Sequence, residues 1–277
     1  MNKTNNIYFP LCCLNYGKNI KQTAELLISY GIVEYAEKLK GWELTDNDFE
    51  KIEQYINEQT LNDADEEEDY FIILSAISLN INIYNLSHTK ENHAEIERHI
   101  GEFEREHGAD AKIKIHKGIL FDLRDGKFDE RMFRVYCAVL SIIGDKKFIR
   151  ITNKRISYRM LGFKSQEVFY KEKPNYKLMT ARQIKTTSDK LTEKNLFAKL
   201  TYKNRMTFYS TAYRGEAFRK VLTNSIALNK EKKEVNRILN EKLNADVDNQ
   251  RKGIREKLIS GLSVKEIKCE MELVKVG

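Results

Sequence analysis

The chain has 277 residues, of which 41% are hydrophobic and 32% charged, and its formal net charge is +7. This composition supports a folded core in one or two domains, and no apolar run approaches the roughly 18 residues of a transmembrane helix. The first 17 residues contain an apolar stretch of only about eight and no small-residue cleavage site, so we expect a cytoplasmic protein without a signal peptide or membrane contact.

Motifs for catalysis or metal binding are absent from the sequence. It has no phosphate-binding glycine loop, no nucleophile elbow and no Cys-x-x-Cys pair among its four cysteines, which we expect to be reduced thiols. Four histidines between 88 and 107 are spaced by five, six and eight residues, which does not match the i, i+4 geometry of a helical metal site. We therefore expect no enzyme activity, cofactor or metal.

Charge divides the chain into two unlike parts. Residues 1–116 carry 11 basic and 22 acidic side chains, a net charge of −11, whereas residues 117–277 carry 37 basic and 19 acidic side chains, a net charge of +18. Such a split suggests that the basic part faces a polyanion, which would repel the acidic part. We expect residues 1–116 to form an acidic helical domain for oligomerisation or for contact with a protein partner.

The chain has few helix-breaking residues, with only two prolines and 13 glycines. We therefore expect a mainly α fold with a small β-hairpin. In residues 1–116, apolar spacing and acid-rich helix starts predict four helices and one short strand. They are a helix in 18–39, one beginning at Thr45, one covering the apolar run 70–81, one at 88–107, and a strand within 111–119.

The next part of the chain has a different order of elements, marked by cap residues and a glycine stop. The predicted elements are a helix from 127 to Gly144, a strand in 146–151, a helix from Thr152 or Asn153 to Gly162, an irregular segment through Pro174, a helix from Thr180 to 195, and strands at 197–202 and 206–211.

This order, helix, short strand, helix, helix and hairpin, resembles a winged helix-turn-helix domain. LTEKNLFAKLTYKNRMTFYST (191–211) looks like the end of such a domain's last helix followed by its wing, and ISYRMLGFKSQ (156–166) resembles the second helix and turn of helix-turn-helix regulators. The resemblance, to domains of plasmid and phage replication initiators and regulators, implies that the helix before the hairpin lies in the DNA major groove. It also implies that the hairpin tip touches phosphate or the minor groove. We expect this DNA-binding domain at 117–212.

The helical period divides the helix that begins at Thr180 into two faces. One face comprises Ala181, Ile184, Ser188, Leu191 and Asn195, and the opposite face Arg182, Lys185, Thr186, Asp189 and Glu193. Arg and Gln can pair with guanine and adenine edges, whereas Lys suits phosphate as a point charge. Segment 117–212 carries 22 basic and 9 acidic side chains, and this charge favours DNA encounter. The residues expected to contact DNA are Arg182, Gln183, Lys185, Thr186 and Lys190 on this helix, Lys154, Arg155 and Arg159 on the preceding one, Lys164 after it, and Lys203, Asn204 and Arg205 at the hairpin tip.

An alternative reader helix stays open at this point. Residues 163–179 separate the two helices of the motif, where a short turn is usual, and KSQEVFYKE (164–172) could itself be a helix. In that case Lys164, Ser165 and Gln166 would contact the bases, and 180–195 would be a supporting helix. A charged helix face is also typical of a solvated surface.

The remaining residues, 213–277, are expected to be basic helices at 214–228, 232–244 and 251–273 that serve packing or a homodimer. The best interpretation is a non-catalytic, sequence-specific double-stranded DNA-binding protein of a mobile element, acting in replication initiation or transcription regulation. The alternative is a protein-protein interaction factor, such as a phage-type inhibitor or a polymerase accessory subunit, in which a winged helix docks on protein.

Overall fold

The structure is a computed structural model that describes residues 5–16, 19–59, 67–82, 85–173, 177–203 and 206–259. Three features singled out in the sequence lie wholly or partly outside these residues. They are part of the acid-rich start of the helix predicted over 70–81, which includes Asp63, the tip residues Asn204 and Arg205, and the C-terminal segment 260–277.

The described chain is mainly helical with few strands, which confirms the predicted fold class at that level. Its elements are β1 (Asn6–Pro10), a 3₁₀ helix (Leu11–Asn15), α1 (Ile20–Leu39), α2 (Asp46–Gln59), α3 (Glu67–Leu79), α4 (Leu86–His107), β2 (Lys112–His116), α5 (Lys117–Arg124), α6 (Glu130–Ile143), β3 (Ile149–Arg150), α7 (Asn153–Arg159), α8 (Gln166–Glu172), α9 (Ala181–Glu193), β4 (Ala198–Tyr202), β5 (Met206–Ser210) and α10 (Gly215–Ile259). None of the described helices combines the length and apolar character needed to cross a membrane.

Helix ends follow the capping chemistry of the sequence. The Thr152 side chain accepts a hydrogen bond from the Arg155 N–H at 3.3 Å, so Thr152 rather than Asn153 caps α7. The Thr180 hydroxyl likewise accepts from the Gln183 N–H at the start of α9. Gly144 ends α6 with a φ of 51°, in the left-handed region that glycine tolerates. The predicted cap at Thr180 and stop at Gly144 are confirmed.

Two small antiparallel sheets connect distant parts of the chain. β1 pairs with β2, so that Ile7 lies opposite Ile115 and Phe9 opposite Ile113. In the second sheet, the strand order is β3-β5-β4, and β5 is central because it pairs with both β4 and β3. The β4–β5 hairpin therefore has a fixed base: its second strand is hydrogen-bonded to the strand that precedes α7.

One hydrophobic core extends across the predicted boundary at residue 116. It contains Leu27 of α1, Ile113 of β2, Phe133 of α6, Ile184 of α9 and Tyr209 of β5. Burial of apolar surface is the main favourable term in folding, so residues on both sides of 116 stabilise one another. The division at residue 116 stays a prediction.

The structure also differs from the sequence interpretation at several elements. β1 and α5 were not predicted, and the segment expected to be irregular contains α8, as the alternative assignment of KSQEVFYKE to a helix required. The expected separate helices 214–228 and 232–244 form one continuous helix, α10, because no Gly or Pro interrupts residues 229–231. By its internal contacts the chain forms two compact units, Met1–Gly215 and Glu216–Gly277.

Candidate nucleic-acid interface

α9 is held in place through one face and a capped start. Ile184, Ser188 and Leu191 are buried, and the helix packs against α6 and α7. The Tyr209 hydroxyl of β5 donates to the Ser188 hydroxyl at 3.4 Å. Ala181 and Asn195, which the helical period places on the same side, are exposed, because Ala181 lies in the first turn and Asn195 follows the end of the helix.

The opposite face of α9 carries a net positive charge. Arg182, Lys185 and Lys190 are exposed, and none of them forms an ion pair within the described chain. The acidic residue beside them, Asp189, is paired at 2.7 Å with Lys199, a largely buried cation of β4. This pair is neutral overall. Glu193, near the end of α9, is exposed and forms no ion pair in the described chain, so the three cations outnumber one unpaired carboxylate and the face keeps a net positive charge. Thr186, also a predicted contact residue, is exposed on the same helix.

Gln183 is engaged in the helix cap rather than free. Its side-chain oxygen accepts hydrogen bonds from the Thr180 N–H at 2.9 Å and from the Thr180 hydroxyl at 3.0 Å. Together with the bond from the Gln183 N–H to Thr180, these contacts form a capping box. Bidentate pairing with adenine needs both the oxygen and the amide nitrogen of a glutamine, and the cap occupies the oxygen.

The predicted contact residues of α7 separate into different environments. Lys154 is exposed and lines the same depression of about 250 Å³ as Ala181, which places it next to the first turn of α9. Arg155 is half-buried. Of these two, Lys154 lies on the surface that borders α9.

Arg159 does not lie on that surface. It is 8% exposed, and its guanidinium donates to the Ser141 hydroxyl of α6 at 3.1 Å. Burial lowers the pKa of Arg159 below its usual value. Arg159 therefore packs α7 against α6, and this burial disfavours its expected contact with DNA. The periodicity of a seven-residue helix does not reveal such burial.

α8 is attached to the acidic part of the chain at both ends. At its start, the Lys164 ammonium donates to the Ala109 carbonyl at 2.7 Å. At its end, Glu172 forms an ion pair with His107 of α4 at 2.5 Å. Between them Phe169 is fully buried, with its ring edge-on to Phe163. Lys164, a predicted contact residue, is thus engaged in a contact within the protein.

The hairpin tip is described only at its first residue. Lys203 is exposed, has a φ of 50°, and places its ammonium 5.6 Å from the centre of the Tyr202 ring. Asn204 and Arg205 lie outside the described residues. Of the apolar side chains that were expected to fold onto α9, Phe197 is buried, whereas Leu200, Met206 and Phe208 are only partly buried.

A cleft that sequence analysis missed borders the start of α9. It has a volume of about 1030 Å³, and its lining includes Arg131 of α6, Gln183 of α9 and Lys177, which precedes α9. Arg131 and Lys177 are exposed and make no ion pair with any residue that the structure describes. They extend the positive surface of α9. No sequence signal joins Arg131 to α9, because the two are brought together only by the packing of α6.

Two clusters of His and Glu side chains bring possible ligand atoms together, namely Glu34, His93 and Glu97, and Glu106, His107 and Glu172. The second cluster is explained by the ion pair between His107 and Glu172. In the first, His93 Nε2 lies 3.5 Å from a Glu34 oxygen, and the imidazole stacks on Tyr30. Ion pairing and stacking account for both arrangements, so we assign neither a metal. The expected absence of enzyme activity and cofactors stays a prediction.

Comparisons with family models, with curated proteins and with solved structures gave no match for this chain.

Proposed function

We propose that this protein binds double-stranded DNA in a sequence-specific manner, with α9 as the helix that reads the bases. The observation that carries the proposal is the exposed face of α9, where Arg182, Lys185 and Lys190 are free of ion pairs within the described chain. Free cations can exchange their water for phosphate or a base edge without breaking a protein contact, and phosphate binding releases condensed counterions.

The architecture around α9 supports this choice of helix. An α-helix fits the major groove of B-DNA, and the order α6, β3, α7, α8, α9, β4 and β5 is that of the winged helix-turn-helix resemblance, with α8 added. β3 pairs with β5, and the hairpin is thereby fixed relative to α9. In this proposal Lys203, with Asn204 and Arg205, contacts phosphate, and Lys154 contacts the backbone beside the first turn of α9.

The same reasoning disfavours α8 as the reader. Lys164 would have to leave the Ala109 carbonyl, and moving the end of α8 would break the ion pair of Glu172 with His107. Breaking a hydrogen bond to a charged group costs about 1.5–3 kcal/mol when no partner replaces it. α9 needs no such rearrangement for Arg182 or Lys185, although Gln183 would have to give up its cap to bind adenine.

The proposed biological setting is a mobile genetic element. A role in replication initiation or transcription regulation of a mobile element rests on the winged-helix resemblance alone. The alternative, a protein-protein interaction factor, draws support from the acidic part, where α4 exposes Glu97, Glu102 and Glu104. In the proposed function, that acidic surface faces a protein partner while the basic surface faces DNA.

Selection of duplexes from a random-sequence pool by the full chain tests the proposal, followed by titration of the selected and a scrambled duplex at several salt concentrations. We expect an enriched motif and an affinity that falls steeply with salt, because each neutralised phosphate contributes to the slope. Failure to bind any duplex at low salt would instead favour the protein-interaction alternative.

A further inference from the structure

α10 carries a row of large apolar side chains that are exposed to water. They are 42 to 61% exposed and comprise Leu228, Val235, Ile238, Leu239, Leu243 and Val247. With 100° of rotation per residue, they fall on one side of the helix. Contiguous exposed apolar surface of this kind marks an interaction site.

Along the middle of this row, seven positions of α10 are spaced symmetrically on either side of Leu239. We define the α10 stripe as the seven positions Leu228, Lys232, Val235, Leu239, Leu243, Asp246 and Gln250. Their intervals are 4, 3, 4, 4, 3 and 4, the same in both directions along the chain. Leu228 and Leu239 are 11 residues apart, as are Leu239 and Gln250. Eleven residues make slightly more than three helical turns, so the stripe runs almost straight along α10 for about 33 Å.

Two charged residues in the α10 stripe lack an ion-pair partner in their own helix. Lys232 and Asp246 form no ion pair in the described chain, although neighbouring charges do, such as Arg237 with Glu234 at 2.6 Å. Lys232 and Asp246 lie seven residues before and after Leu239. A partner helix running in the opposite direction would thus place Asp246 against Lys232 twice, once at each end.

We propose that two copies of this chain pair through the α10 stripe as an antiparallel helix pair centred on Leu239. Leu239 then packs against Leu239 of the second copy, with the adjacent layers Val235 against Leu243, Lys232 against Asp246, and Leu228 against Gln250. The opposite, parallel arrangement would place lysine against lysine and aspartate against aspartate. Polar residues inside a helical seam are known to select partner and register in this way. The inference is independent of the proposed DNA binding.

Sedimentation equilibrium of the full chain over a range of concentrations tests the proposal. We expect a monomer–dimer equilibrium. Lys232→Asp and Asp246→Lys should each raise the dissociation constant at least about tenfold, because each creates two like-charge contacts per dimer. The double variant with both changes should restore dimerisation to near the original level. Lys230→Asp is the matched control: it makes the same charge change on the opposite side of α10 and should change the dissociation constant little.

Three other results would contradict the proposal. A parallel pair would leave the affinity of Lys232→Asp nearly unchanged, since a lysine–lysine contact would be replaced by an aspartate–aspartate contact. A chain that stays monomeric at every concentration would overturn the proposal. A double variant that folds but does not recover dimerisation would contradict the proposed register. As a control, circular dichroism of each variant should show unchanged helix content.

Discussion

α8 and α9 are consecutive helices in the basic part of the chain, and both were candidates for reading DNA. The structure gives them opposite environments. α8 has a buried anchor, Phe169, and its flanking charges contact the acidic part of the protein. α9 also buries one face but leaves Arg182 and Lys185 without an ion pair in the described chain. The two helices thus differ in whether their charges are engaged within the protein, and this difference is the basis for proposing α9 rather than α8 as the reader.

The largest expected effect tests the structural role of α8. Phe169→Ala should lower the free energy of unfolding by about 3–5 kcal/mol, because it removes a fully buried ring that packs against Phe163. Chemical denaturation measures this directly. Tyr170→Ala is the matched control, since Tyr170 is exposed on the same helix, and it should cost far less. Equal costs for the two would show that α8 is not anchored as described.

Arg182→Ala tests the reading role of α9. It should weaken binding to the selected duplex by about 1–3 kcal/mol and binding to a random duplex much less, since a bidentate arginine discriminates among bases. Fluorescence anisotropy on the two duplexes measures the difference. An equal loss on both would assign Arg182 to phosphate contact instead.

The hairpin tip should position the protein on the DNA backbone without discriminating between DNA sequences. Lys203→Ala combined with Arg205→Ala is expected to weaken selected and random duplexes by similar factors and to reduce the salt slope by about one to two units. Titrations at several salt concentrations provide the slope. Circular dichroism must show a folded variant, because loss of the β4–β5 hairpin would imitate the effect. An unchanged slope would remove the tip from the interface.

The smallest expected effect concerns the cap of α9. Thr180→Ala should lower the free energy of unfolding by about 1 kcal/mol, because the Gln183 N–H loses its side-chain acceptor. Thr186→Ala, in the exposed middle of the same helix, is the control and should change stability much less. A stability loss no larger for Thr180→Ala than for Thr186→Ala would argue against the capping box.

Local signals predicted much of this fold. The cap at Thr180, the glycine stop at Gly144 and the helical spacing of α6 and α9 depend on residues close in sequence, and each appears in the structure. β1 has no such signal. It pairs with β2, about a hundred residues away, and its five residues are too few for periodicity to distinguish a strand from any other apolar segment.

The candidate site was harder to predict for a similar reason. Exposure of Arg182 and Lys185 follows from the helical period of α9, whereas burial of Arg159 depends on where α7 meets Ser141 of α6. The cap role of Gln183 was present in the sequence as the Thr-x-x-Gln pattern, but the same glutamine suits base recognition. Arg131 joins the site only through tertiary packing.

The ratio of affinities for the selected and scrambled duplexes, measured for the full chain and for Arg182→Ala and Lys164→Ala, tests the central claim most directly. If α9 reads the bases, Arg182→Ala lowers this ratio about tenfold or more, and Lys164→Ala leaves it unchanged. If instead Lys164→Ala abolishes discrimination while Arg182→Ala has no effect, α8 is the reader and the assignment to α9 is wrong.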